Sequence, residues 1–461
     1  MGKDNKSYLR HGIIVIIFSW LLVILTPVPF LSNLLMGEEG MFAYLAVDNG
    51  KTEFNDTSKI LLIGREKGID KWDAPRHPIL PYMFLSHVIR PFTGGINFSH
   101  LNFHDKTVMA RTPFYSFYAL AMLLVLLLNL NGLKKMSIKE LLIPLGLLAF
   151  IGTSGLMVGG AVQTLYDGNL GVLLIGTSAF LLIWGFRVQH KMLMYTLWFS
   201  GGWVAAMGKN EWAMAFGSAL FLLWAFKKII GLIRNHDNGD ETSKIKPLGK
   251  IPVWGLLGVI SGSLFHYLMD PYNYVKGFEV IYQFGIKSPL NWMDTFVARL
   301  PWIWPFFLMI PAAFIILIRN GRKLLINHLP GILVMFWGVL IFFGFLITRH
   351  GGDGFPRYFG PAMMALLIYF LDVWGTLHKK WNKGAIAIGI LLFGLVLFNI
   401  YGLCCGYAKH ISIGSIPGCY QKEHRHMFIQ QYMDFRRTGN VQKTDSAAAY
   451  YFPDMDFINN T

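Results

Sequence analysis

Runs of about twenty mainly apolar residues recur along this chain, joined by short linkers, and few folds are compatible with that pattern. A hydrocarbon core about 30 Å thick is crossed by about 20 residues of helix, which satisfies its own backbone hydrogen bonds. The pattern predicts helices near 12–35, 111–131, 141–163, 169–186, 194–208, 212–226, 251–268, 301–318, 330–347, 360–377 and 385–403. The fold class expected is therefore all-α, a polytopic transmembrane helical bundle of about eleven spans. With 54% hydrophobic and 15% charged residues, a soluble globular domain is excluded. The first run, 12–35, is too long for a signal peptide and has no small-residue cleavage site, so it reads as a retained helix.

The formal charge of +15 raises nucleic acid as a partner. On a multispanning chain it instead reflects basic loops facing anionic lipid, so membrane lipids are the expected partner and nucleic acid is not. Lys134, Lys135 and Lys139 fall on one side, with Arg187 and Lys191, and with Lys227, Lys228 and Arg234. Arg319, Arg322 and Lys323 follow, then Lys379, Lys380 and Lys383. By the positive-inside rule that side, and the N-terminus with Lys3, Lys6 and Arg10, is cytoplasmic.

The remaining long segments then face outward. Residues 36–110 form the first extracytoplasmic loop, and its HPILPYMFLSHVIRPF stretch (77–92) fits an amphipathic helix lying in the interface. Residues 269–300 form a second outer loop. A division follows into a transmembrane domain, 1–403, and a small extracytoplasmic tail, 404–461. Cys404, Cys405 and Cys419 lie there without metal-ligand spacing; Cys419 either pairs with one of the other two or all stay reduced. The loop 235–250 is a polar cytoplasmic linker. No P-loop, GxGxxG fingerprint or GxSxG elbow is present.

Charged residues cluster at the outward ends of the predicted helices. Glu38 and Glu39 follow the first helix, inside GEEGMFAYLA (37–46). Adjacent carboxylates push each other's proton affinities apart, which suits a general base or a cation site; otherwise they mark the water boundary. Asp167, Lys209, Glu211 and Arg299 occupy other outward linkers, with Arg349, His350, Asp353 and Arg357 between the ninth and tenth helices. Acids and bases on one face suit an anionic head group: carboxylates for a hydroxyl or a metal, Lys and Arg for phosphate oxygens. A single Lys or Arg there also serves as an interfacial snorkelling charge.

The order of these motifs resembles the multispanning C-type glycosyltransferases, especially the protein O-mannosyltransferase and aminoarabinose transferase branch. EEGMFAYLA (38–46) is similar to that branch's acidic pair after the first helix, although Glu38 stands where an Asp is usual. HPILPYMF (77–84) resembles its interfacial-helix stretch, and ARTPFYSFYAL (110–120) its Arg-x-Pro entry to the second helix. Asp167 and Lys209, the latter in AAMGKNEWAMAF (205–216), occupy the places of a second acid and a Lys. PRYFGPAMMALL (356–367) is similar to the Arg-Tyr-x-x-Pro entry to a late helix. The resemblance spans residues 12 to 376 in order.

The resemblance implies a polyprenyl-phosphate-sugar-dependent glycosyltransferase, hexosyl or pentosyl, that inverts the sugar at the outer membrane face. Its donor is a polyprenyl-phosphate sugar, its acceptor a lipid, glycan or protein. Glu38, assisted by Glu39, is the expected base, with Asp167 as a further acid. Arg111, Lys209, Arg299 and Arg357 are expected at the donor phosphate, His77 and Tyr358 at the substrate. A divalent metal (Mg, Mn or Ca) between Glu38 and Asp167 is one alternative and metal-free transfer the other. PWIWPFFLMIP (301–311) either lines a groove for the isoprenoid or packs as helix and interfacial belt. The expected location is the bacterial plasma (inner) membrane, as part of cell-envelope synthesis, with endoplasmic reticulum the alternative. The competing class is a transporter or flippase of a lipid-linked anion, which calls for two halves with matching broken helices.

The charge pattern makes a direct prediction of topology. In intact cells, a single cysteine placed at position 55 reacts with a membrane-impermeant reagent and one at position 135 is protected. The reverse pattern overturns the orientation.

Overall fold

The computed structural model describes residues 3–31, 103–162, 166–234, 251–269, 271, 274–275, 278, 292–347, 359–381 and 384–405. Among them the regular structure is entirely helical: α1 (Lys3–Leu25), α2 (Phe103–Leu133), α3 (Ile138–Gly152), α4 (Gly155–Val162) and α5 (Gly171–Arg187). Then come α6 (Lys191–Ala206), α7 (Asn210–Arg234), α8 (Ile251–Met269), α9 (Trp292–Asn327), α10 (Leu329–Ile347), α11 (Gly360–Trp381) and α12 (Ala385–Cys405). Among the described residues each predicted apolar run falls mainly on helix. α2 begins at Phe103 and not at 111, so residues 103–110, expected in the first outer loop, are helical because the chain there carries no breaker. Seven helices are long and apolar enough to cross a membrane, or eight if the bent pair α3–α4 is one span. The apolar stretches Gly12–Leu25 and Ile386–Tyr401 are shorter. Large apolar side chains such as Phe18, Phe221, Ile318 and Ile390 point outward from the bundle, where lipid and not water is their compatible solvent.

Boundaries differ where local chemistry decides them. α1 ends at Leu25 and gives way to a turn and a 3-10 segment, Val28–Phe30, because Pro27 and Pro29 remove backbone donors. α9 begins at Trp292, before the predicted 301, so Arg299 lies within a helix. At the start of α3, the Ser137 N–H donates to the Glu140 carboxylate at 2.8 Å, which satisfies one of the donors a helix start leaves open.

Three helices form the centre. Within their membrane-crossing windows, α11 is 83% buried, α10 78% and α5 67%, against 33% for α7, α8 and α9. α6 and α8 pack at backbone distance: a Cβ on Gly202 would collide with the Gly255 carbonyl, and one on Gly258 with that of Phe199. Gly262 continues this face against Ala206, so the two helices run parallel, and α7 returns between them. Small residues permit this approach, which lipid does not itself drive.

α3 and α4 meet at a 59° bend. Freed backbone groups at the bend are taken up locally. Thr153 Oγ1 donates to Ala149 O (2.7 Å), Ser154 Oγ donates to Ile151 O (2.6 Å), and Met157 N–H donates to Ser154 Oγ (3.3 Å). Asn399 of α12 reaches across to Phe150 O at 2.9 Å. This is how a broken helix remains viable inside a bundle.

The ends of the bundle are chemically distinct. At the basic end, Asp372 of α11 is buried and bridges two side chains: Arg187 Nη2 at 2.9 Å from Oδ1, and His328 Nδ1 at 3.0 Å from Oδ2. Arg187 Nη1 also donates to Leu128 O at 2.8 Å, and Trp374 Nε1 to Glu140 O at 3.0 Å. The ends of α2, α5 and α11 and the starts of α3 and α10 are thereby joined. Asp372→Asn keeps the volume but removes the charge. The expected loss is about 2 kcal/mol in detergent unfolding, less than for a fully buried pair because Arg187 can rehydrate.

Candidate functional site

The opposite end of the bundle holds the sequence-predicted site residues that the structure describes. Lys209 closes the short linker between α6 and α7. Its carbonyl accepts from the Trp212 N–H (3.0 Å) and the Ala213 N–H (3.2 Å), so it caps the start of α7. The residue is only 4% exposed, and its Nζ stands 5.8 Å from the ring centroid of Phe345 near the end of α10. An aromatic face is one partner that makes a buried ammonium tolerable.

Asp167 lies in a π-helical turn, Tyr166–Leu170, immediately before α5; its side chain is outside the described set. The turn is fixed by neighbours on both sides. Asn169 is fully buried, and its Oδ1 accepts the Leu170 N–H at 2.8 Å. Gly168 rests on α4, where an added Cβ would stand 2.6 Å from Gly160 O. The turn also touches α2 and α11.

Arg111 begins the apolar part of α2 and is fully buried. Its Nη1 donates to Leu31 O at 3.2 Å, and Tyr115 OH donates to Ile24 O at 2.6 Å. One of the five guanidinium donors is therefore spent on the chain just beyond α1, at Leu31. Trp20 Nε1 extends the seam of α1 and α2 with a 2.8 Å bond to Met122 O.

Three helix starts converge here. Gly171, the first residue of α5, is packed by the Trp212 ring of α7 and by Pro361 of α11, whose Cγ would lie 2.9 Å from an added Cβ. Trp337 of α10 donates its indole N–H to Trp212 O at 2.9 Å, and its ring meets Phe216 edge-on at 4.9 Å. The α7 and α11 starts each carry roughly half a positive charge with N–H groups left open, whereas at Gly171 the helical backbone continues from the Tyr166–Leu170 turn. The three starts follow directly on Asp167, on Lys209, and on Arg357 and Tyr358 in sequence. Acidic and basic candidates from separate linkers are thus brought to one end, together with the fields that favour an anion.

Glu38, Glu39, His77, Arg357 and Tyr358 lie outside the described residues, as do the interfacial stretch and residues 406–461 of the tail, whose expected first residues Cys404 and Cys405 instead end α12; of Arg299 only the backbone is described. The 301–311 stretch divides its faces. Ile303, Phe306 and Met309 are buried while Phe307 and Leu308 point outward. Phe306 stacks on Phe342 at 4.3 Å, and both meet Phe359 at the start of α11. For Phe306 the role is helix packing; the outward pair belongs to the lipid-facing surface.

Sequence reasoning missed Trp212, Trp337, Asn169 and His266 as parts of this end. Trp212 sits inside a motif singled out for its Lys, but Trp337 and His266 lie in apolar runs where nothing local distinguishes them. No family model matches the chain, and no curated protein and no solved structure matches it either.

The convergence depends on Gly171. Gly171→Leu forces the Trp212 ring and Pro361 apart, and such overpacking costs about 1–3 kcal/mol. Its expected readout is a lowered thermal midpoint together with altered Trp fluorescence; a silent substitution would mean the three starts are not in tight contact.

Proposed function

We propose that the protein is an integral-membrane glycosyltransferase that moves a sugar from a polyprenyl-phosphate donor to an acceptor hydroxyl at this end of the bundle. The observation that carries the reading is the meeting of the α5, α7 and α11 starts beside the buried Lys209. A phosphate whose isoprenoid chain stays in lipid must sit at the membrane boundary. An electropositive convergence of helix starts is the chemistry it requires.

In this reading the acceptor O–H gives its proton to Glu38, with Glu39 beside it, as the oxygen attacks the anomeric carbon. The bond from that carbon to the phosphate oxygen breaks, and its electron pair leaves with the polyprenyl phosphate. Attack opposite the leaving group inverts the centre. Lys209, Arg111 and Arg357, with Arg299 behind, stabilise charge that grows on the phosphate, so their contacts strengthen toward the transition state. Tyr358 and His77 orient the sugar. Glu38 and Asp167 are the hard oxygen donors that would hold a divalent ion such as Mg, Mn or Ca. Among the described residues no three His, Cys, Asp or Glu side chains gather, and no step above passes through a metal.

The topology belongs to the same proposal: eleven spans, a cytoplasmic N-terminus and the site facing outward in a bacterial plasma membrane. Parallel packing of α6 and α8 supports counting the short α6 as a span, since α7 must return between them. The basic linkers gathered about Asp372 support the assignment of the inner end.

One observation favours a second reading. The α3–α4 break, stitched by buried hydroxyls, is the kind of interrupted helix that lines substrate sites in membrane transporters. A single assay separates them. Purified protein in nanodiscs or vesicles is given a panel of polyprenyl-phosphate sugars with lipid, glycan and protein acceptors, and products are read by intact mass. Glycosyl transfer is expected, falling about 10²–10⁴-fold in Glu38→Gln with donor binding retained. Donor moved between leaflets without any transferred sugar would establish the transporter instead.

A further inference from the structure

Gly255, Gly258 and Gly262 of α8 face α6 at helical spacing, and His266 is the next position on that face. α6 ends at Ala206, one turn short of it. Gly262 already touches Ala206 and Met207, so His266 lies beyond the end of α6, beside the linker that carries Lys209. The adjoining chain is tied down there, because Asn210 Nδ2 donates to Tyr274 O at 3.3 Å and the Tyr267 and Tyr274 rings meet at 5.9 Å. His266 is 4% exposed, and among the described residues neither ring nitrogen has a hydrogen-bond partner.

A buried imidazole with both nitrogens unmet is costly, and interiors rarely retain one unless something absent from the folded chain alone completes it. Apolar neighbours such as the Phe265 and Trp203 rings, 6.0 Å apart, cannot do so. The linker beside it carries Lys209, proposed above at the donor phosphate, and a phosphate oxygen is the acceptor that a ring N–H lacks. We propose that His266 is a binding residue for the phosphate of a polyprenyl-phosphate ligand, donating a ring N–H to a phosphate oxygen on the α8 side of Lys209. This rests on the donor class proposed above and adds a residue to it.

The test measures binding and not transfer, so it stands apart from the reaction. Wild type and His266→Leu in nanodiscs are titrated with polyprenyl monophosphate and with inorganic phosphate, and their thermal midpoints are recorded. The expected result is about tenfold weaker polyprenyl-phosphate binding by His266→Leu, the loss of one hydrogen bond to a charged group. Stability should stay equal or rise, because an unmet polar group has been removed, and His266→Gln should recover part of the affinity. If inorganic phosphate alone binds as tightly, with the same dependence on His266, the lipid-linked ligand is wrong. Unchanged affinity in His266→Leu, or affinity and stability falling together, overturns the proposal. His266-dependent binding without sugar transfer by wild type would overturn the glycosyltransferase reading and leave this one standing.

Discussion

The carboxylate of Asp372 sits with its side chain 2% exposed, and everything at the basic end is arranged around that fact. A buried carboxylate is tolerable only when both oxygens are engaged. Arg187 takes one from the end of α5, and His328 takes the other from the tight turn between α9 and α10. His328 Nε2 in turn meets Thr376 Oγ1 at 2.7 Å, one turn further along α11. Gly331 leaves room for this, since a Cβ there would stand 2.6 Å from Asp372 Oδ2. The three most buried helices are thus fixed to one point. Because helices are stiff, fixing them at one end sets their relative heights at the other. The meeting of the α5 and α11 starts against Trp212 is the distant consequence.

Between the two ends, packing has little help from solvent. Lipid is as apolar as a leucine surface, so helices adhere through close contact and a few interhelical hydrogen bonds. The α6–α8 glycine seam supplies the first. The bonds from Ser178 Oγ to Gly201 O (2.8 Å), from Asn399 to Phe150 O, and from the Trp20, Trp337 and Trp374 indoles supply the second. Each indole ends on a backbone carbonyl, a partner that satisfies the ring's one donor without burying a charge.

The opposite end has a different chemistry. There, helix starts gather with a buried lysine, a buried arginine and a histidine whose ring nitrogens have no hydrogen-bond partner among the described residues. That asymmetry, more than any single residue, is what brings the broken helix, Lys209 and His266 into the one proposal made for this end.

Much of the fold was legible in the sequence, because hydropathy is a local property: the eleven apolar runs could be read as helices and the basic linkers as one face without knowing any contact. The tertiary structure decided the rest. Pro27 and Pro29 explain in hindsight why α1 stops at Leu25, yet nothing near residue 152 announces the α3–α4 bend, whose support comes partly from Asn399. Asp372 in an apolar run reads as one stray charge until Arg187 and His328 arrive from remote parts of the chain. Of the site, the sequence placed Lys209, Asp167 and Arg111 at one end, since charges at helix mouths are visible in one dimension. It could not place His266 beside Lys209. That proximity arises from where α6 ends against a parallel α8, and the depth at which two helices cross is set by side-chain packing that no local pattern encodes.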